Sequence, residues 1–312
     1  MELKTMLKRV AHAAGYDVVR RIPDGEPRWS YSVDDYYPMH PKPRWGYGSQ
    51  PHPQLQARLE QGRAGYEQVL KSLEGQREVL HDIPHNRDPK RSMAPFWNNI
   101  WFTALDAASL VGFLLSRRPR QYLEIGSGHS TLFARHAIQV GALPTTVTSI
   151  DPQPRAKIDS LCDRVVRQPI ENCDLTLFDR LEPGDLLFFD GSHRVFTNSD
   201  VTVFFFDILP RLKPGVLVHM HDIYLPDDYP PVWNNRLYSE QYLIGAMLLC
   251  GAPPFNVVLP NYFACTDNAL SALVHAIFRL EGGALDIPFT YPTSACNPGV
   301  SFWIEMTAVE RP

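Results

Sequence analysis

Short runs rich in apolar and β-branched residues alternate with longer amphipathic stretches across residues 97–260. Gln121–Ile125, Thr145–Ile150, Asp185–Asp190 and Gly215–Met220 are such runs, each bounded by polar, Gly or Pro residues. Their length and continuity predict strands buried on both faces. A shorter strand is predicted at Arg164–Arg167. Helical spacing is found at Trp97–Leu115, Thr131–Val140, Pro154–Cys162, around Asp174–Leu181, at Ser199–Leu212 and at Ser239–Leu249. Strands that alternate with helices predict an α/β fold with a parallel sheet. Phe255–Leu259 and Val300–Met306 read as two further strands.

The pattern differs upstream. Leu55, Leu59, Tyr66, Leu70 and Leu73 recur at helical spacing and predict helix over Pro53–Leu80, followed by a polar break at Pro84–Met93. Residues 22–53 are crowded with proline and with Trp29, Tyr31, Tyr36, Tyr37, Trp45 and Tyr47. Proline density excludes long regular elements, whereas the aromatics argue for order. Those rings either tie the segment to the body or wall a substrate pocket. Leu3, Met6, Leu7, Val10 and Ala14 predict an amphipathic helix that packs on the body or on another subunit, making this segment the candidate contact of a homo-oligomer. The expected organisation is an N-terminal helical and Pro/aromatic-rich extension over 1–95 and an α/β domain over 96–312.

Composition narrows the function. The 312 residues are 44% hydrophobic and 21% charged, ordinary for a globular protein. A net charge of −4 disfavours a general nucleic-acid binder, which needs a basic face for phosphates. A membrane span is not expected, since Asp106 interrupts the longest apolar candidate, Trp101–Leu115. Five scattered cysteines without a C-x-x-C pair fit reduced thiols and a cytoplasmic location better than a disulfide framework or a zinc site.

Candidate chemistry concentrates at Tyr122-Leu-Glu124-Ile-Gly126-Ser127-Gly128-His-Ser130-Thr131, with Thr148-Ser-Ile-Asp151 downstream. A strand that enters a glycine turn and a helix offers close backbone approach and free N–H groups. An acid at the next strand end, about 25 residues on, can accept both hydroxyls of a ribose. A nucleoside-bearing cofactor is therefore expected. The dinucleotide fingerprint is incomplete, because Thr131 stands where the third small residue belongs. Glu124 would repel a pyrophosphate but suits a ligand with a cationic centre and an amino-acid tail.

The E-x-G-x-G pattern with Asp151 resembles the first motif and ribose-binding acid of the class I S-adenosylmethionine-dependent methyltransferases. The resemblance implies a three-layer Rossmann-like, mostly parallel sheet with an antiparallel closing pair. It also implies S-adenosylmethionine held by Glu124, Gly126, Ser127, Gly128, Ser130, Thr131, Asp151, Gln168 and Asp190. A longer pattern extends the likeness to a bacterial subgroup associated with glycan and natural-product assembly. It comprises Asp190-Gly-Ser-His193, Leu209-Pro-Arg-Leu-Lys-Pro-Gly215, His221-Asp222-Ile223, Asp228-Tyr-Pro and Glu240-Gln-Tyr242. Arg44-Trp-Gly-Tyr-Gly48, Pro51-His-Pro53 and Ser301-Phe-Trp303 belong to the same likeness. The implied reaction is methyl transfer to a hydroxyl or amine of a small polar acceptor such as a sugar or natural product.

Ligands of open parallel sheets sit beyond the carboxyl ends of the strands, which points to Asp190–His193 and to His221-Asp222. Methylation requires in-line alignment and removal of a proton. His193 or His221 is the expected base, with Asp222 beside them, while the deeper His219 reads as a structural, hydrogen-bonded histidine. Related catechol-type and macrolide-sugar enzymes use a metal, held by an acid after strand four and an Asp-Asn or Asp-Asp pair after strand five. Asp190 and Asp222 are the corresponding candidates for Mg2+ or another divalent ion, although His221-Asp222 departs from the pair. Three rival readings are an NAD-dependent oxidoreductase, a metal-dependent hydrolase or oxygenase built on His219-x-His221-Asp222, and a non-catalytic binder. The loop Tyr224–Asn235 is the expected lid or acceptor wall.

Overall fold

The computed structural model describes residues 10, 13–14, 41–91, 93–154, 157–280, 283–284 and 299–308. The chain divides into two units, 1–41 and 42–312. In the first, the Ala14 N–H donates to the Val10 carbonyl (3.1 Å). The rest of the predicted N-terminal helix, and Trp29, Tyr31, Tyr36, Tyr37 and Cys296, lie outside the described residues.

In the second unit the alternating pattern is realised as β1 Gln121–Ile125, β2 Thr146–Ile150, β3 Arg164–Val166, β4 Leu186–Phe189, β5 Leu217–Met220 and β6 Phe255–Pro260. A two-residue ladder, β7 Arg279–Leu280 with β8 Gly283–Ala284, stands apart, and β9 is Phe302–Met306. The main sheet runs β3-β2-β1-β4-β5-β9-β6. Its first five strands are parallel, and β9 pairs antiparallel with both β5 and β6. β9 and β6 form the expected antiparallel closing pair, with β6 at the edge. Every residue of β4 and β5 is buried, as strands covered on both faces must be.

The described helices are α1 Pro53–Glu60, α2 Arg63–Glu74, α3 Arg77–His81, α4 Ala104–Arg117, α5 His129–Val140, α6 Asp200–Val203, α7 Glu240–Leu249, α8 Asn261–Thr266 and α9 Asn268–Ile277. α4 is buried from Ala104 to Leu114, which explains why it is apolar nearly all round. It packs on α5 and feeds β1. The predicted helix over Pro53–Leu80 is three helices, broken at Gln61-Gly62 and Gly75-Gln76. Leu55 and Leu59 of α1 and Tyr66, Leu70 and Leu73 of α2 are the buried stripe, α1 packing on α7 and α2 on α9 and β6.

Three connections are less helical than their spacing predicts. Among the described residues of Pro154–Cys162 the helical part is a 3-10 turn at Asp159–Leu161, and the one fully buried apolar residue among them, Ile158, offers no stripe to bury. Asp174–Leu181 is a 3-10 turn over Leu175–Arg180, capped by the Asp174 carboxylate accepting from Thr176 N–H (3.0 Å). Ser199–Leu212 runs as α6, a π turn at Phe204–Ile208 and a 3-10 turn at Leu209–Arg211. Pro210 lacks the N–H that would continue an α-helix there.

Candidate active site

The carboxyl ends of β1, β2, β4 and β5 open onto one cavity of about 1040 Å3. Gly126 makes the turn out of β1 at φ +82°, and its N–H donates to the Ile150 carbonyl (3.0 Å). A Cβ there would lie 1.9 Å from the Asp190 carbonyl oxygen, so the β1 and β4 tips can meet only through a glycine. Gly128 is extended, and a Cβ on it would meet nothing within 4 Å. Its bare backbone faces open space on the cavity wall, as close approach of a ligand requires.

Asp151, just beyond β2, also lines the cavity. Its carboxylate accepts from Ser127 N–H (2.9 Å) and Gln153 N–H (2.8 Å), which fixes it against the glycine turn. Ser127 Oγ lies 2.7 Å from Ser149 Oγ. Glu124 is fully buried beneath this turn and takes no part in the wall. It accepts from the hydroxyls of Tyr122 (3.0 Å), Ser130 (3.3 Å) and Thr131, and Thr131 Oγ1 in turn accepts from Gly128 N–H (3.1 Å). Burial pushes its pKa up to about 7. Glu124 and Thr131 therefore brace the turn from below, whereas Gly126, Ser127, Gly128 and Ser130 face the cavity. Gln168 is exposed off the wall, and Pro169, Ile170 and Glu171 line the place expected of it.

The second half of the cavity gathers Asp190, His193, His221 and Asp222. His193 Nε2 lies 3.3 Å from Asp190 Oδ1 and 3.5 Å from Asp222 Oδ2, while its Nδ1 bonds Glu240 Oε1. His221 Nδ1 lies 3.8 Å from Asp190 Oδ1 and 3.5 Å from Asp222 Oδ1, with its Nε2 3.3 Å from Asp106 Oδ2. Each histidine thus stands between a buried acid behind it and two acids in front. His193 (φ +62°) and Asp222 (φ +59°) both hold the left-handed conformation that non-glycine residues seldom adopt, here at strand tips that converge on one point.

The loop after β4 is locked by Asp200, whose carboxylate accepts from both Ser192 N–H and Ser192 Oγ–H. Ser239 N–H donates to the His193 carbonyl (2.8 Å) and delivers Glu240 at the start of α7. Asp106, at 0% exposure, accepts from the N–H groups of Val300 and Ser301 (2.9 and 2.7 Å) and from Asn261 Nδ2 (2.8 Å). This carboxylate joins α4, α8, the approach to β9 and His221. His219 is apart from the cluster. It bonds Ser301 Oγ (2.5 Å) and stacks on Trp303 at 3.9 Å, and burial holds its pKa well below the ordinary value.

Burial works against a charge on His221, but the carboxylates of Asp106, Asp222 and Asp190 around it raise its pKa to about 9. Burial likewise opposes charge on His193, and Glu240, Asp190 and Asp222 outweigh it, lifting its pKa well above the usual range. Burial raises Glu240 to about 7 despite its bond to His193. Folded-state pKa values raised above the unfolded ones mean that the native state holds extra protons, so stability falls as pH rises through them. For Glu124 and Glu240 the loss runs from the ordinary carboxylate range to about 7, and for His221 from near 6.5 to about 9. The ligand-free protein is therefore expected to melt lower at pH 9 than at pH 6.5, with a shallower slope for His221→Asn. Equal melting temperatures at both pH values would contradict this electrostatic picture.

Tyr224, Trp233 and Tyr238 line the remaining wall with Trp101, so the predicted loop contributes to the cavity. Tyr229 sits behind it in an aromatic cluster with Tyr224, Trp233 and Tyr262. Trp45 and Tyr47 do not line the cavity. Trp45 N–H donates to Asp228 (3.1 Å) and its ring packs on His52, which ties this part of the upstream segment to the loop. Glu240, Asp106, Trp101, Arg194 and Arg236 were not expected at the site. Asp106 had a signal, since an acid inside an apolar helix demands buried partners.

A family model described as a methyltransferase domain matches residues 123–223, the stretch from β1 through the β5 tip. An uncharacterised protein of Archaeoglobus fulgidus is 30% identical over 124 residues. That alignment covers 37% of this chain and 56% of the relative, so the chain spans little more than half the relative's length. Among solved structures, an SAH-bound methyltransferase of Podospora anserina is similar at 16% identity, over 77% of this chain and 88% of that one, with a TM-score of 0.39. An O-methyltransferase of Bacillus cereus in complex with SAH is similar at 16% identity, over 77% and 91%, with a TM-score of 0.35. The match to the methyltransferase-domain model thus lies on the strands that build the glycine turn and the acid–histidine cluster, about a third of the chain.

Proposed function

We propose that the protein transfers the methyl group of S-adenosylmethionine to a hydroxyl or amine of a small polar acceptor, with His193 as general base. One observation carries the reading. Asp151 and the bare Gly128 backbone share a cavity with His193, which stands where two acids and a buried glutamate fix its ring. Gly126–Gly128 would hold the nucleoside, Asp151 its ribose and Ile170 its base, and Asp190 and Asp222 would offer negative charge to the cationic sulfur. Trp101, Tyr224 and Trp233 hold the acceptor and exclude water, so that positioning supplies much of the acceleration. Glu240 holds Nδ1 of His193, so that Nε2 faces the cavity between Asp190 and Asp222. His221, held by Asp106, completes the charge balance beside Asp222.

The same residues fit a divalent ion. Asp190, His193 and Asp222 each offer a ligand atom, and these atoms lie within 4.8 Å of one another. The donor set combines two carboxylates with an imidazole whose far nitrogen is held by a carboxylate, an arrangement common around bound metals. Asp190 and Asp222 would hold the ion, and its chemistry there would be to lower the pKa of the acceptor hydroxyl.

Calorimetric titration with S-adenosylmethionine, its demethylated product and NAD tests the cofactor. The first two are expected to bind, and Asp151→Ala to weaken them by about tenfold or more, the worth of hydrogen bonds to a charged group. Binding of NAD alone, or undiminished donor binding by Asp151→Ala, would overturn the reading. Loss of turnover with a chelator, restored by Mg2+ or Mn2+, would assign the metal role, and full turnover with the chelator would leave His193 as the sole proton acceptor.

A further inference from the structure

The acceptor end of the cavity holds two guanidinium groups that the proposed chemistry does not use. Arg236 lines the cavity and lies over the Trp233 ring at 4.1 Å, with Tyr238 at 5.5 Å. Arg194 lines it too, 5.5 Å from the Tyr238 centroid. Arg194 is fixed in place: its Nε donates to the Arg236 carbonyl (2.8 Å) and its Nη1 to the Ser192 carbonyl (3.1 Å). Neither guanidinium has a carboxylate partner among the described residues, and no guanidinium N–H of Arg236 has an acceptor there. Arg236 and Asp222, which line the same cavity, interact electrostatically.

A guanidinium stacked on indole is pre-organised, because its fork of donors is held flat and points past the ring edge. Forks of this kind recognise carboxylates and phosphates through paired, charge-assisted hydrogen bonds. The two guanidiniums stand beside the acid–histidine cluster, because the Tyr238 ring that both approach lies 4.3 Å from the His193 ring. A neutral acceptor would leave these donors desolvated and unmatched when it displaced water from them.

Resting on the methyltransferase reading above, we infer that the acceptor carries an anionic group, a carboxylate or a phosphoryl ester, near the hydroxyl or amine that is methylated, and that Arg236 with Arg194 receives it. The rings of Trp233 and Tyr238 flank the part of the acceptor that joins the two.

The test is calorimetry on protein saturated with the demethylated cofactor, titrated with matched probes that differ in charge. The pairs are 3-hydroxybenzoate with 3-hydroxybenzamide and glucuronate with glucose, and glucose 6-phosphate separates phosphoryl from carboxylate recognition. At least one anionic probe is expected to bind about tenfold or more tightly than its neutral match, the scale of a charge-assisted pair. Arg236→Gln is expected to erase that preference and Arg236→Lys to keep part of it. Equal binding within every pair, no millimolar binding of any anionic probe, or a preference that survives Arg236→Gln would overturn the inference. Cofactor saturation is read first in the same instrument, so a protein that fails to bind the cofactor refutes the methyltransferase reading instead.

Discussion

Replacing Asp106 by alanine is expected to destabilise the fold by about 3–5 kcal/mol, the usual cost of removing one partner of a buried charged network. The carboxylate accepts from Val300 N–H, Ser301 N–H and Asn261 Nδ2, with Thr103 Oγ1 at 3.3 Å. Alanine strands all of these buried donors, and each stranded group costs roughly 1–3 kcal/mol. It also removes the acid behind His221, so that burial alone acts on that ring together with Asp222 and Asp190. Urea titration of the wild-type and variant proteins measures the loss. A change below about 1 kcal/mol, typical of an uninvolved surface position, would show that the network does not anchor the fold.

His193→Gln is expected to reduce kcat by about 10²–10⁴-fold, the range for removing a positioned general base. Affinity for the demethylated cofactor should remain near wild type, because Asp151 and the glycine turn are built independently of this side chain. The pH profile adds a second readout. Asp190, Asp222 and Glu240 raise the His193 pKa well above the ordinary value, so the resting ring is protonated at neutral pH. It sheds that proton more easily when a positive charge neutralises Asp190 and Asp222. Wild-type kcat/KM should therefore rise with pH, and His193→Gln should lose that rise along with most of the rate. A variant that keeps more than about a tenth of wild-type kcat would remove His193 from the role of base.

Much of this site was legible before any coordinates. The strand, glycine turn and distant acid placed Gly126, Gly128 and Asp151 together because parallel-sheet geometry leaves few alternatives. Likewise the strand-tip rule singled out Asp190, His193, His221 and Asp222, which the fold does bring together. What the sequence hid falls into two kinds. Glu240 meets His193 across 47 residues, and Asp106 meets Val300 across 194, and no local pattern records such pairings. The short connections Pro154–Cys162 and Ser199–Leu212 carry weak helical spacing that tertiary packing and Pro210 override. Gln168 was placed by counting past β3, and the loop turns so that its neighbours line the cavity instead.

The order of the main sheet has a consequence for how the molecule comes into being. β9, one of the last described elements in the chain, is inserted between β5 and β6 rather than added outside them. Val300 and Ser301, which lead into it, are the groups that Asp106 grips from the far side of the sheet. A ribosome-bound nascent chain that has not yet extruded residue 306 therefore has β5 with a bare edge and β6 unattached. Translation must reach this strand, and the strand must pair, before the histidine shelf can set.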